Sequence, residues 1–143
     1  MVKRLPKVSI IVSNYNGLKL GLVLHSLASI LKADYPNFEV ILIDNDSTDN
    51  TVSVVKRKFG KDKKLKIIRN SVNMYSQGLN LGIANSDGEY IVFFNNDIEF
   101  KSGYLQKIVN FFQKEQKAAL IQGKLLYFYD HKMIDSAGET MDI

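Results

Sequence analysis

The sequence predicts an α/β protein with an open, mostly parallel, doubly wound sheet and helices on both faces. Two observations carry this prediction. Short β-branched runs alternate with amphipathic segments at least four times, as in parallel strands joined by right-handed helical crossovers. The chain has 143 residues and is 45% apolar, which suits one domain with its own core. We therefore expect a single domain over residues 1–143.

The first three elements are a strand, a helix and a second strand. The run over Val8–Ser13, "VSIIVS", has the length and β-branched composition of a strand covered on both faces. Apolar residues at helical spacing then predict an amphipathic helix over residues 18–32. The run over Phe38–Ile43, "FEVILI", predicts the second strand.

The next two elements follow a segment of turn and cap residues. Ser47 or Thr48 is the expected N-cap of a helix that carries apolar residues from Val52 to Phe59. A third strand follows over Leu65–Asn70, "LKIIRN".

The remaining elements repeat the alternation. A short helix is predicted within Ser76–Ser86, a strand over Tyr90–Asn95 and a helix over residues 103–112. One or two strands are expected within Ala118–Asp130. The aromatic part of this segment, Leu125–Asp130, is most simply interpreted as a buried strand; the alternative is an exposed apolar patch.

Composition excludes several classes of site. The chain has no Cys, which excludes disulfides and thiolate metal sites. Neither a GxGxxG nor a GxxxxGK[ST] motif occurs, so a dinucleotide fingerprint and a P-loop are unsupported. The basic segment over Lys56–Lys66 is most simply a solvated helix end, or else a surface for phosphates or anionic lipid. Aromatic residues are not interleaved with it, so we do not expect a nucleic-acid partner.

Four polar segments end the four predicted parallel strands: "SNYNG", "DNDSTD", "RNSVN" and "NNDIEF". Ligands of open α/β sheets bind beyond the carboxyl ends of the strands, which lie at one edge. One polar strand end indicates a turn. Four at the same edge predict a binding site.

Asp97 is the candidate metal ligand at this edge. Mg²⁺ and Mn²⁺ prefer oxygen ligands, and Mg²⁺ often takes one protein carboxylate together with substrate phosphates. The alternative is that Asn95, Asn96 and Asp97 form a turn, because such side chains bond readily to their own backbone.

The segment that follows the second strand has two interpretations. Local capping would explain the polarity of Asp44, Asn45 and Asp46. Asn45 also offers a donor and an acceptor, as recognition of a nucleobase edge requires. Tyr15 either lies along a base or ribose or packs on its own loop.

Together these segments resemble the family 2 glycosyltransferases, which have the GT-A fold. The resemblance lies in "VSIIVSNYNG", "VILIDNDSTDNT", "NMYSQGLNLGIANSDGEYIVFFNND" and "AALIQGKLLYFYDHKMIDSAG". The four occur in the family's order and cover residues 7–138. "DN" and "NND" look most similar to the rhamnosyltransferase-like branch, which often uses dTDP-sugars.

The resemblance implies roles for seven residues. The positions matching those that contact the base and ribose are Ser13, Tyr15, Asp44 and Asn45. Those matching the triplet near the ribose and sugar diphosphate are Asn95 and Asn96, and the one matching the metal ligand is Asp97. The implied cofactor is Mg²⁺ or Mn²⁺.

The chain departs from the family's pattern in three ways. A carboxylate usual at the first or second triplet position is missing, and the loop "NMYSQGLN" is a residue short and lacks a Gly near Tyr75. The family's general base lies further along than the last residue, so the chain is expected to be a truncated, donor-binding portion.

The resemblance implies inverting transfer of a sugar from a dTDP-, UDP- or GDP-sugar to a glycan or lipid-linked acceptor. A non-catalytic nucleotide-binding module of the same fold is the alternative. Another doubly wound protein, such as a nucleotidyltransferase or a flavodoxin-like binder, is less consistent with the lack of a Gly-rich phosphate loop. We expect a cytoplasmic location, peripheral to the membrane's inner face, and self-association.

Overall fold

The computed structural model describes residues 5–137. The chain divides into two compact units, Met1–Asn110 and Phe111–Ile143. The expectation of one domain over the whole chain stays a prediction.

The first unit is built on a parallel sheet of four strands. The strands are β1 (Val8–Asn14), β2 (Phe38–Asn45), β3 (Leu65–Asn70) and β4 (Tyr90–Asn95), and their order is β3-β2-β1-β4. All three strand pairs are parallel. The predicted α/β fold class is confirmed.

Four helices accompany the strands. They are α1 (Leu22–Leu31), α2 (Thr51–Phe59), α3 (Tyr75–Ala84) and α4 (Tyr104–Lys114), and a short 3-10 turn precedes α1. No helix within residues 5–137 is long and apolar enough to cross a membrane.

The direction of winding reverses after β3. The chain steps from β1 to β2 to β3 in one direction and then returns to place β4 on the other side of β1. Right-handed crossovers therefore put α1 and α2 on one face and α3 on the other. On the α3 face Gly82 meets Ile11 so closely that a Cβ would lie 2.5 Å from the Ile11 Cγ2 atom. Because both faces are covered, β1 and β2 are buried along their whole length.

The predicted cap of α2 is wrong. Asn50 is the N-cap residue and makes no side-chain capping bond, while the Asp49 carboxylate accepts the Thr51 N–H at 2.9 Å. The Ser47 hydroxyl instead donates to Asp44, and Thr48 donates its backbone N–H to Asn16. Both predicted caps are thus used within the loops that follow β1 and β2.

A buried carboxylate ties the amino ends of the strands together. Glu39 is 4% exposed and accepts hydrogen bonds from the Ser9 hydroxyl at 2.7 Å and the Asp87 N–H at 3.2 Å. The Lys66 ammonium lies 2.7 Å from its second oxygen. Burial raises the pKa of Glu39, but the interactions with Asp87, Lys66 and Ser9 outweigh burial and hold it well below its usual range.

The second unit holds a short antiparallel pair, β5 (Leu125–Leu126) and β6 (Ile134–Ser136). Only two residues of the predicted strand segment 118–130 are therefore in a strand. Tyr127, Phe128 and Tyr129 are exposed, Tyr129 by 97%, so the interpretation of this stretch as a buried strand is wrong.

Candidate functional site

The carboxyl ends of the four strands form the candidate site. It lies across the point where the strand order reverses, between β1 and β4, and ligands of open parallel sheets bind at such points. Polar side chains occupy both faces of the sheet at this edge. The two faces carry separate hydrogen-bond networks.

On the α3 face, three side chains form a chain of hydrogen bonds across the strand ends. The Asn70 amide donates to the Asn45 oxygen at 3.0 Å, and the Asn45 amide donates to the Ser13 hydroxyl at 3.0 Å. Asn45 is 2% exposed. Its amide retains one hydrogen and one acceptor position beyond these bonds.

The start of α3 closes over this network. A Cβ at Gly78 would overlap the Asn45 Oδ1 atom, so only glycine allows this approach. The Tyr75 hydroxyl donates to the Asn95 oxygen at 3.3 Å, and both side chains are exposed. α3 therefore contributes to the site from above the sheet.

On the opposite face, a second network is centred on a buried carboxylate. Asp44 is 0% exposed and accepts the Asn14 amide at 3.0 Å and the Ser47 hydroxyl at 2.5 Å. The Asn14 oxygen in turn accepts the Asn96 amide at 2.7 Å. Arg69 on β3 lies 3.7 Å from the second Asp44 oxygen.

The loops after β1 and β2 are fastened to each other. Asn16 and Asp46 have φ angles of 48° and 59°, which Asn and Asp tolerate better than most residues. The Asn16 oxygen accepts the Thr48 N–H at 2.8 Å, and Asp49 accepts the Leu18 N–H at 3.3 Å. Partial burial raises the pKa of Asp49, but the hydrogen bonds that it accepts from Thr51 and Leu18 have a larger, opposite effect. The pKa of Asp49 is therefore below its usual value.

Asp97 is exposed at the tip of β4, and the segment that follows it is anchored beside α1. The Phe100 N–H donates to the Ser29 hydroxyl at 3.1 Å, and the Gly103 N–H donates to Asp34 at 3.0 Å. Hydrogen bonds from Ser102 and then Gly103 lower the pKa of Asp34. This anchoring fixes the backbone on the carboxyl side of Asp97. A depression lies between α1 and this segment, away from the strand-end networks.

The donor set at the tip fits a hard divalent cation with few protein ligands. No group of three or more His, Cys, Asp or Glu side chains within the described part of the chain could hold a metal. Asp97 offers a carboxylate, and the Asn96 oxygen, unlike its amide nitrogen, makes no hydrogen bond to any described residue. Mg²⁺ commonly retains waters and substrate phosphates as its other ligands.

All seven predicted site residues lie at this edge, but their exposure differs. Ser13, Asp44 and Asn45 are buried, and Asn96 is half-buried. The remaining three are exposed: Tyr15, Asn95 and Asp97.

Sequence reasoning missed four side chains that build the site: Asn14, Ser47, Asn70 and Tyr75. The first three lie within the polar strand-end segments, so their composition was a usable signal. What was missing was the pairing. The bond between Asn96 and Asn14 joins the turn residue that follows β4 to the last residue of β1, 82 positions away in the sequence.

Comparison with known proteins identifies the family. The profile described as "Glycosyl transferase family 2" matches residues 9–134. An uncharacterized glycosyltransferase of Haemophilus influenzae is 34% identical over 110 residues, which are 76% of this chain and 33% of that protein. The GalNAc(5)-diNAcBac-PP-undecaprenol beta-1,3-glucosyltransferase of Campylobacter jejuni is 32% identical over 109 residues, covering 73% of this chain and 34% of that protein.

Solved structures agree with the sequence relatives. S. aureus TarS 1–349 superposes with a TM-score of 0.68 at 27% identity, covering 77% of this chain and 33% of TarS 1–349. Its complex with UDP superposes with a TM-score of 0.67 at 28% identity, with the same two coverages. The chain thus spans about a third of the length of these proteins.

A parallel sheet with these neighbours and a polar site across its reversal point defines a GT-A fold. The chain belongs to glycosyl transferase family 2.

Proposed function

We propose that this chain is the donor-binding portion of an inverting glycosyltransferase that uses a nucleoside diphosphate-sugar with Mg²⁺ or Mn²⁺. The observation that carries the proposal is the pair of polar networks on both faces of the sheet, at the β1–β4 reversal point. The UDP complex of TarS, a structure of the same fold, supports a nucleotide ligand at this type of site.

The site divides into a nucleotide side and a diphosphate side. Ser13, Tyr15 and Asn45 are proposed to contact the base and ribose, with Asp44 behind them. Asn95 and Asn96 are proposed to face the sugar diphosphate, and the exposed Asp97 carboxylate to hold the cation. Full burial of Asp44 restricts that carboxylate to acting through the side chains around it.

The proposed sugar transfer depends on stabilising the negative charge that develops on the leaving group. A leaving nucleoside diphosphate gains negative charge in the transition state, and a bound divalent cation stabilises that charge as a Lewis acid. The segment after Asp97 is anchored at Phe100 and Gly103, which limits the positions open to the backbone beside this carboxylate. A general base must also remove the acceptor's proton. We propose that it lies outside this chain.

The names of the relatives support the general donor and acceptor classes that we propose. We propose transfer of a hexose, from a dTDP-, UDP- or GDP-sugar, to a glycan or lipid-linked acceptor in polysaccharide or glycoconjugate biosynthesis. The name of the Campylobacter relative, which specifies an undecaprenol-linked acceptor, supports a lipid-linked acceptor. The "DN" and "NND" motifs favour a rhamnosyltransferase-like donor.

Titration calorimetry tests the binding proposal. UDP, dTDP and GDP are titrated with and without Mn²⁺ into the wild type, Asp97→Asn and the control Glu115→Gln, which neutralises an exposed carboxylate directly after α4. We expect metal-dependent binding of at least one nucleotide, lost in Asp97→Asn and retained in Glu115→Gln. A folded wild type that binds none of the three would refute the proposal.

A non-catalytic module is the second candidate, and one observation favours it: Asp97 is the only carboxylate of the triplet. Donor hydrolysis distinguishes the candidates, because an active donor site releases nucleoside diphosphate slowly even without an acceptor. Unchanged nucleotide affinity of Asp97→Asn in Mn²⁺ would assign a structural role to Asp97.

Two surfaces support the proposed associations. The exposed aromatic residues Tyr127, Phe128 and Tyr129 favour self-association, which sedimentation velocity of a triple alanine variant tests. The exposed cations from Lys56 to Lys63 favour peripheral attachment to anionic lipid at the inner face of the membrane. Co-sedimentation with phosphatidylglycerol vesicles, against phosphatidylcholine vesicles, tests that attachment.

A further inference from the structure

A three-residue chain of hydrogen bonds runs across the ends of β2, β1 and β4. Asn14 stands between the other two: its Nδ2 atom donates to Asp44 at 3.0 Å, and its Oδ1 atom accepts from Asn96 at 2.7 Å. Asn14 is 1% exposed and Asp44 0%, so the contact between them is shielded from water, whereas the contact with the half-buried Asn96 is partly shielded. This row of hydrogen bonds ends at Asn96, the neighbour of the candidate metal ligand Asp97.

The direction of these bonds is fixed by Asp44. This carboxylate accepts from the Ser47 hydroxyl and the Ser47 N–H as well as from Asn14, and a carboxylate oxygen has no hydrogen to give. Asn14 must therefore turn its Nδ2 atom to Asp44 and its oxygen to Asn96. A flip of either amide would place two acceptor oxygens 2.7–3.0 Å apart.

The fixed orientation of Asn14 also fixes the orientation of the Asn96 amide. Because its Nδ2 atom is committed to Asn14, its Oδ1 atom lies on the other side of the amide group. An amide oxygen is a ligand for Mg²⁺ or Mn²⁺, whereas the amide nitrogen is not. An unrestrained asparagine would present either end.

We propose that Asn14 is a positioning residue which, held by Asp44, orients Asn96 so that its amide oxygen becomes a second protein ligand beside Asp97. The proposal rests on the proposed function. In this arrangement a neutral amide, oriented by a buried charge, occupies the place of a second carboxylate. Asp44 thereby acts on the site without contacting its ligand.

Gly17 packs against the hydrogen bond between Asn14 and Asn96. A Cβ at Gly17 would overlap the Asn14 oxygen and would lie 2.7 Å from the Asn96 nitrogen. Gly17→Ala therefore forces the Asn14–Asn96 contact apart without removing a polar group. This substitution is a second, independent way to disrupt the hydrogen bond between Asn14 and Asn96.

Mn²⁺ affinity in the presence of saturating UDP, read from the spin-resonance signal of free Mn²⁺, tests the proposal. Asn14→Leu, which releases the proposed ligand, should weaken Mn²⁺ binding about tenfold, as loss of a hydrogen-bond partner of a metal ligand commonly does. Asn96→Ala, which removes the proposed ligand itself, should weaken it at least as much. The double variant should be no weaker than the weaker single variant. Asn110→Ala, which removes an exposed amide from α4, should bind as the wild type does.

A measurement on the unaltered chain covers the case in which variants fail to fold. In protein labelled with ¹³C at asparagine and aspartate, Mg²⁺ added with UDP should shift the side-chain carbonyl signals of Asn96 and Asp97. The Asn14 signal should keep the shift of a hydrogen-bonded amide.

The outcomes separate the two proposals. A response of Asp97 without one of Asn96, or additive losses in the double variant, would overturn the role of Asn14 and leave the proposed function intact. Absence of any Mn²⁺ or Mg²⁺ binding with UDP, dTDP or GDP would overturn both.

Discussion

Gly78, in the first turn of α3, lies directly against the amide of Asn45. A Cβ at position 78 would overlap the Asn45 Oδ1 atom, which also accepts the Asn70 amide. The helix therefore packs directly on the polar network on its side of the sheet. This contact makes the glycine a determinant of both stability and binding.

Gly78→Ala should destabilise the protein although alanine is the better helix former by about 1 kcal/mol. The methyl group displaces Asn45 and breaks buried hydrogen bonds, which cost about 1–3 kcal/mol each when a partner is left unsatisfied. Urea unfolding measures the change. Ser76→Ala, on the exposed surface of the same helix, should be neutral or stabilising. Equal stability of the two variants would contradict the contact.

Glu39 should make stability depend on acid pH. Its folded pKa is held below the unfolded value of about 4.3, so its contribution is present above that value and is lost as pH falls through the folded pKa. Glu39→Gln should lower the free energy of unfolding at pH 7 by about 1–3 kcal/mol, because the carboxylate is buried among its donors.

Unfolding curves between about pH 2 and pH 7 test this linkage. The Glu39→Gln variant should lose less stability than the wild type as the solution is acidified. Glu115→Gln, at an exposed position, should keep the acid dependence of the wild type. Parallel acid limbs for Glu39→Gln and the wild type would show that Glu39 is not the titrating group.

Asn45→Asp should fold and change the preference among nucleotides. A carboxylate at this position accepts from the Asn70 amide and the Ser13 hydroxyl, so both neighbours remain bonded. It also offers a charged acceptor to the ring N–H of uracil or thymine, which cytosine lacks at the equivalent nitrogen. We expect UDP and dTDP to gain about tenfold over CDP, as one charge-assisted bond supplies. An equal effect on all three would refute base-edge recognition at Asn45.

Asp34→Ala should loosen the segment that follows Asp97. The Gly103 N–H donates to this carboxylate at 3.0 Å, and the Ser102 hydroxyl at 2.9 Å. Backbone amide hydrogen exchange should accelerate at Gly103 and its neighbours, and nucleotide affinity in Mn²⁺ should fall. Asp62→Ala, which removes a comparable bond to the Lys64 N–H, should affect only its own turn. Unchanged exchange at Gly103 would contradict the anchoring role.

The sequence predicted the four parallel strands well because apolar runs mark buried strands. It placed the ends of β1 and β2 one or two residues early, at Ser13 and Ile43, whereas the strands continue to Asn14 and Asn45. Pairing persists there after the side chains become polar. Apolar periodicity cannot register that extension, and the extension carries the site.

The hydrogen-bond networks were beyond sequence reasoning for a different reason. Ser47 has the composition of a helix cap, but its hydroxyl is turned to Asp44 by a tertiary contact that competes with capping. The polar strand-end segment marks Asn14 by composition but does not reveal its partners, which lie on β2 and directly after β4. The aromatic stretch Tyr127–Tyr129 reads as a strand because its residues favour that structure, yet it is exposed.

The hydrogen bonds that join Asp44, Asn14 and Asn96 also constrain which substitutions this site can accept during evolution. An acidic residue at position 96 would place its oxygen against the Asn14 oxygen, so it would require a hydrogen donor at position 14. Positions 14 and 96 should therefore covary among homologues, and a single exchange at either one should be rarely inherited. Replacement of Asn96 by an acidic residue would then require a matching substitution at position 14, which is far from it in the sequence.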